Sequence, residues 1–124
     1  MADFYLQIRT NSMTLKNVET HEEHSVTGEF SSSRLIIGDF ATAEYVLFQL
    51  IDAMKLSVRM PLTPHHRIVV QALEKNEGGL SPVEVRVLEE VVVSAFNHKV
   101  KKVVVSHDDL PMSQKQAETL LNQK

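Results

Sequence analysis

The chain has 124 residues, 43% of them apolar, a formal charge of -3 and no cysteine. That length suits one domain with its own core, and the apolar fraction excludes a disordered chain. The balance of charge leaves no basic footprint for nucleic acid, Lys101-Lys102 being too short a run, and the lack of thiols excludes disulfides, thiolate metal sites and cysteine nucleophiles.

The chain opens without a basic flank and long apolar run, and no apolar stretch approaches a membrane span. A cytoplasmic protein without membrane insertion is therefore expected. Phe4, Leu6 and Ile8 alternate with Tyr5, Gln7 and Arg9, the period of a strand. Turn chemistry follows at Thr10-Asn11-Ser12, and Met13, Leu15 and Asn17 then share the face of a second strand. The two form a β-hairpin. After the polar Glu19–Glu23, His24 to Phe30 reads as a third, edge-like strand.

Ser31-Ser32-Ser33 is a loop, and Arg34 to Gly38 is loop or a brief strand. Asp39 stands at a helix N-cap. Beyond it Phe40, Ala43, Val46, Leu47, Leu50, Ile51 and Met54 recur in steps of three and four, one buried helix face. Pro61 and Pro64 stop any continuation. Arg67 to Leu73 holds Ile68-Val69-Val70, a buried-strand signature, and Asn76-Glu77-Gly78-Gly79 is a turn. Ser81-Pro82-Val83-Glu84 spells a capping box with proline in the first turn. The helix it starts runs to about Asn97 and buries Val85, Leu88, Val92, Ala95 and Phe96. Val100 to Ser106, with Val103-Val104-Val105, reads as a second fully buried strand, and Ser113 to Asn122 as a short polar helix with Ala117, Leu120 and Leu121 inside. The fold class is α/β: a mixed sheet of about five strands, an antiparallel meander followed by a parallel βαβ unit, in a single domain over the whole chain.

This order resembles half an actin-like or RNase H-like domain. Ile36-Ile37-Gly38-Asp39-Phe40-Ala41-Thr42-Ala43-Glu44 is similar to the segment entering a helix in the MreB family of bacterial actin homologues. Arg67–Val70, Leu80–Leu88, His98–Val105 and Asp108-Asp109-Leu110-Pro111-Met112 resemble the strand, helix, strand and acidic-proline segment that follow there. The resemblance runs from Ile36 to Met112, with an extension to the first hairpin. It implies a fold related to a cytoskeletal, cell-shape protein. It also exposes a departure: Gln7-Ile8-Arg9-Thr10 stands where such ATPases carry an acid that holds hydrated Mg²⁺ and a glycine that admits phosphate. No cofactor, nucleotide included, is therefore expected.

Other chemistry is thin. His21 and His24, and the adjacent His65 and His66, fall in turns or at the surface and fall short of the three or four rigidly held ligands zinc requires. Asp108-Asp109 ends a strand where α/β proteins place ligands, yet has no partner base or nucleophile and is read as a cap before Pro111. Glu74–Gly79 lacks the ending of a P-loop. The expectation is a non-enzymatic accessory or scaffold protein with a protein partner or a second copy of itself. Its partner surface is placed at Phe30, Leu35, Ile36 and Ile37; if that cluster folds under the first helix it is core instead. The alternative is a small-ligand or nucleotide-binding protein, with or without catalysis, acting near Thr10, Gly38 and Asp108.

Overall fold

Alternating apolar residues at the start of the chain and two blocks of β-branched residues later on organise one sheet with helices on both faces. The computed structural model describes residues 3–32, 35–56, 65–74, 80–106 and 110–123. Its strands are β1 (Asp3–Arg9), β2 (Ser12–Asn17), β3 (Glu23–Thr27), β4 (His66–Ala72) and β5 (Val100–Ser106), and its helices α1 (Phe40–Ala53), α2 (Pro82–Ala95) and α3 (Gln114–Asn122). The strand order is β3-β2-β1-β4-β5. β1 pairs antiparallel with β2 and β2 with β3, whereas β1–β4 and β4–β5 are parallel. The mixed five-stranded α/β sheet expected from the sequence is thus the observed one.

Period-two alternation divides β1 between two cores. Phe4, Leu6 and Ile8 join Met13, Leu15, Ile68 and Val70 beneath Leu47, Leu50, Leu88, Val92 and Phe96 of the α1/α2 layer. Tyr5 points the other way, into a smaller cluster with Val18, Val69, Ala117 and Leu121 under α3. Each fully buried large side chain contributes about 1.5–3 kcal/mol, so the α1/α2 core carries most of the stability. The helix starts are those the sequence spells: Asp39 accepts from the Thr42 N–H, and Ser81 and Ser113 both close capping boxes.

The helix α3 has nine residues and buries only Ala117 and Leu121 completely. Polar clasps hold both its ends. Tyr5 donates its hydroxyl hydrogen to Gln71 Oε1 and accepts from the Met112 N–H, while Gln71 Nε2 donates to the Leu110 carbonyl at 2.8 Å. At the far end Arg67 grips both Asp3 oxygens, at 2.8 and 2.6 Å, and donates to the Leu121 carbonyl and to Asn122 Oδ1. Lys102 also donates to the Leu121 and Gln123 carbonyls. Two cations therefore meet the negative end of the helix dipole. The hydrogen bonds that Arg67 donates to Asp3 hold the Arg67 pKa above its ordinary value.

Several expectations need correction. The third strand ends at Thr27, and Phe30 lies in a loop, buried in the core. Phe40 begins α1 but is 39% exposed, the buried stripe of the helix starting at Ala43. Val85 is half-buried and Val91 takes the core position. Val103, Val104 and Val105 are half-buried, since β5 borders the sheet and one side of each valine has no neighbouring strand. Asn17 leaves the apolar face and instead accepts from the Glu19 and Thr20 N–H groups. His66 is buried, on the α1/α2 face, with its ring edge-on to Phe4 at 5.2 Å and 6.4 Å from Phe96. Ser33, Arg34, Pro61, Pro64, Asn76–Gly79 and Asp108-Asp109 lie outside the described residues.

Candidate functional site

Two regions were singled out by the sequence. The first is the tip of the opening hairpin, at the C-terminal end of β1 and β4, where α/β sheets bind ligands. Asn11 adopts a φ of 54°, a left-handed conformation that asparagine tolerates. Its side-chain oxygen accepts from the Ser31 N–H at 2.8 Å and its own N–H donates to Ser31 Oγ at 3.1 Å. Ser31 Oγ donates onward to the Ile36 carbonyl at 2.5 Å. The neighbouring Thr10 N–H donates to Glu74 Oε1 at 2.6 Å. Both backbone donors at the turn are therefore taken by the chain's own oxygens, one of them an anionic carboxylate. Arg9 donates to Gln7 Oε1 at 3.3 Å on the opposite face from the core. Arg9 is thus paired with Gln7, and Thr10 with Glu74.

The second region begins where Ser31 ties the hairpin to the loop before α1. The Phe30 carbonyl accepts from both the Gly38 and Asp39 N–H groups, at 2.7 and 2.9 Å, and Ser32 and Leu35 exchange two hydrogen bonds. This closes a compact loop. Gly38 is required inside it, because a Cβ there would lie 2.8 Å from Ser32 Cβ and 2.9 Å from its backbone nitrogen. The loop presses Phe30 and Ile36 inward, at 0% and 2% exposure, and leaves Leu35 46% exposed.

Beside it Leu35, Ile36 and Ile37 meet Val83, Glu84 and Val87 of α2 around a cavity of about 70 Å³. Ligand pockets usually offer about 300–1,000 Å³, so this one fits an aliphatic side chain rather than a small molecule. Farther along α2, Glu44, Tyr45 and Phe48 of α1 face Ser94 and Ala95 of α2 and Asn97 around a wider depression of about 310 Å³, polar and apolar in equal part. Ser94 donates its hydroxyl hydrogen to Glu44 there. The Thr42 N–H bonded to Asp39 holds the Asp39 carboxyl below its ordinary range, which agrees with a charged N-cap and with no further role.

Of the four residues placed on a partner surface, Phe30 is core and Leu35 is open to solvent. Ile36 and Ile37 are buried but line the apolar cavity. Val83, 72% exposed, and Val87 were missed. Their signal was present: they stand four apart on α2, one step off the stripe that the helix buries. Ser31 links Asn11, the neighbour of Thr10, to Ile36 in the loop that holds Gly38, while Asp108 is outside the described residues. Among the described residues no three His, Asp or Glu side chains converge on a possible metal position, and no helix is long and apolar enough to cross a membrane. His24 instead pairs with Glu22 at 2.9 Å.

No family model matches the chain. The chain is 39% identical over 127 aligned residues to the "Uncharacterized protein YjaA" of Escherichia coli (strain K12), with 100% of each covered. That identity over the full length of both shows that the chain belongs to the YjaA family.

Proposed function

We propose that this protein is a non-enzymatic accessory or scaffold module that docks onto a protein partner through the apolar groove between the Leu35–Ile37 loop and α2. The observation that carries this is the groove itself: exposed Leu35 and Val83 flank a cavity the size of one side chain. An anchor side chain entering such a slot is how interfaces concentrate their binding energy. The order β3-β2-β1-β4-β5, with β1, β4 and β5 parallel, supports an actin-like or RNase H-like half domain. With the MreB-like segments from Ile36 to Met112, it supports a role beside a bacterial cytoskeletal or cell-shape system. The occupied Thr10 and Asn11 N–H groups support a role without nucleotide, since Glu74 stands where a phosphate would have to lie.

The test is photo-crosslinking in the native cell, with a benzoylphenylalanine probe at Leu35 and, as a control on the opposite sheet face, at Ser25. Crosslinks to protein from Leu35 and none from Ser25 are expected; equal labelling from both removes the groove as the docking surface. In a thermal-shift assay ATP with Mg²⁺ is expected to leave the midpoint unmoved. A rise of several degrees would favour the ligand-binding alternative, because a ligand of the native state stabilises by mass action.

A further inference from the structure

The geometry points to a cationic amphipathic helix of another protein as the occupant of the α1–α2 seam. This rests on the docking role proposed above and names the partner's chemistry. Charge is the first ground. Within their spans α1 and α2 carry five carboxylates, Glu44, Asp52, Glu84, Glu89 and Glu90, against the single guanidinium of Arg86, a net -4. The whole chain carries -3, so the two helix spans are more negative than the chain as a whole, with Lys55 and Lys99 just beyond their C-terminal ends. Arg86 is already paired with Glu90 at 3.3 Å.

The second ground is apolar. Of the five exposed large hydrophobic residues among those described, Leu35, Phe40, Tyr45 and Val83 lie on this layer, and Leu110 alone lies elsewhere. The third ground is spacing. The apolar cavity involves Ile37 and Val87, and the wider depression involves Glu44 and Ser94. Val87 and Ser94 are seven residues, about 10 Å, apart along α2, while Ile37 lies in the loop before α1. Side chains at i and i+7 of a docked helix have that separation, which is how a helix anchors in a groove.

Charge also decides between occupants. A second copy, placed face to face on the same layer, would set -4 against -4, and like charges across an interface oppose association. A nucleic acid and an anionic lipid surface meet the same repulsion. A partner segment rich in Lys and Arg, with apolar residues every three or four positions, satisfies the carboxylates and fills the cavity together.

The experiment uses the full chain in its native cell, with benzoylphenylalanine at Val83 or at Tyr45, and sequences the crosslinked segment by mass spectrometry. The expected segment is net positive with apolar residues at helical spacing. Synthesised as a peptide, it should bind the purified protein at least tenfold more weakly at 500 mM than at 50 mM NaCl. Glu44→Gln/Glu90→Gln, checked for unchanged circular dichroism, should weaken it by at least fivefold. A neutral or acidic segment, or binding insensitive to salt and to that double substitution, overturns the cationic partner while leaving the docking role in place. Crosslinking to this same chain alone overturns it in favour of self-association. Protein crosslinks from neither position overturn both.

Discussion

Removing the Arg67 side chain should cost more than a surface ion pair normally would. Its side chain is 19% exposed and that of its partner Asp3 9%, and the contact is a two-pronged fork with oxygen distances of 2.6 and 2.8 Å. In Arg67→Ala the Asp3 carboxylate loses its counter-charge and keeps only the shielding of its other neighbours. Exposed pairs contribute about 0–1 kcal/mol, whereas breaking a buried pair from one side costs about 3–5 kcal/mol. The exposures place this pair near the lower end of the second range, about 3 kcal/mol. For a chain of this size that lowers the melting midpoint by about 12 °C, at about 4 °C per kcal/mol. Urea unfolding followed by circular dichroism at pH 7 gives the free energy directly. Asp3→Asn in the same chain should restore at least about 1 kcal/mol, since the stranded charge is then removed. A loss below about 1 kcal/mol for Arg67→Ala, or simple additivity of the two substitutions, would show that water screens the pair and that Arg67 does not secure α3.

Tyr5→Phe should cost about 1 kcal/mol by stripping the Met112 N–H of its acceptor, and hydrogen exchange should speed up in α3 while β1 and β4 stay protected. Gly28→Ala puts a Cβ 2.5 Å from Cγ2 of the buried Val46, whose branched side chain has little rotamer freedom in α1; a loss of about 1–3 kcal/mol in urea unfolding is expected. The depressed Asp39 pKa makes its capping contribution fully present above the ordinary carboxylate range and lost as pH falls through the folded-state value. A carbon-detected NMR titration should therefore place Asp39 below an ordinary aspartate, and the Thr42 amide should lose protection over the same pH interval.

Strands and helices could be read from the sequence because their signals are local. Alternation through Phe4, Leu6 and Ile8 and the capping box at Ser81 fix element type without knowledge of neighbours. Burial in the outer positions depends on layer order, which alternation does not report. Val103-Val104-Val105 reads as central, yet nothing in the triplet says that β5 would border the sheet. His66 reads as a loop histidine beside Pro64, and only the α1/α2 layer brings Phe96 over it. The groove was half legible. Its loop side stood out as an apolar cluster around serines, but its α2 side required knowing that Val83 and Val87 would flank that loop.

The border position of β5 carries a consequence for behaviour in concentrated solution. Val100 lies opposite His66 and Lys102 opposite Arg67, so Lys101 is the surplus residue of a bulge on the outermost strand. Its ammonium group, held out in solvent, acts as a guard against stray strands joining the margin. Replacing that lysine with valine would leave a nearly continuous run of branched residues along the rim, and turbid, fibre-prone samples would be the outcome even if the fold itself were untouched.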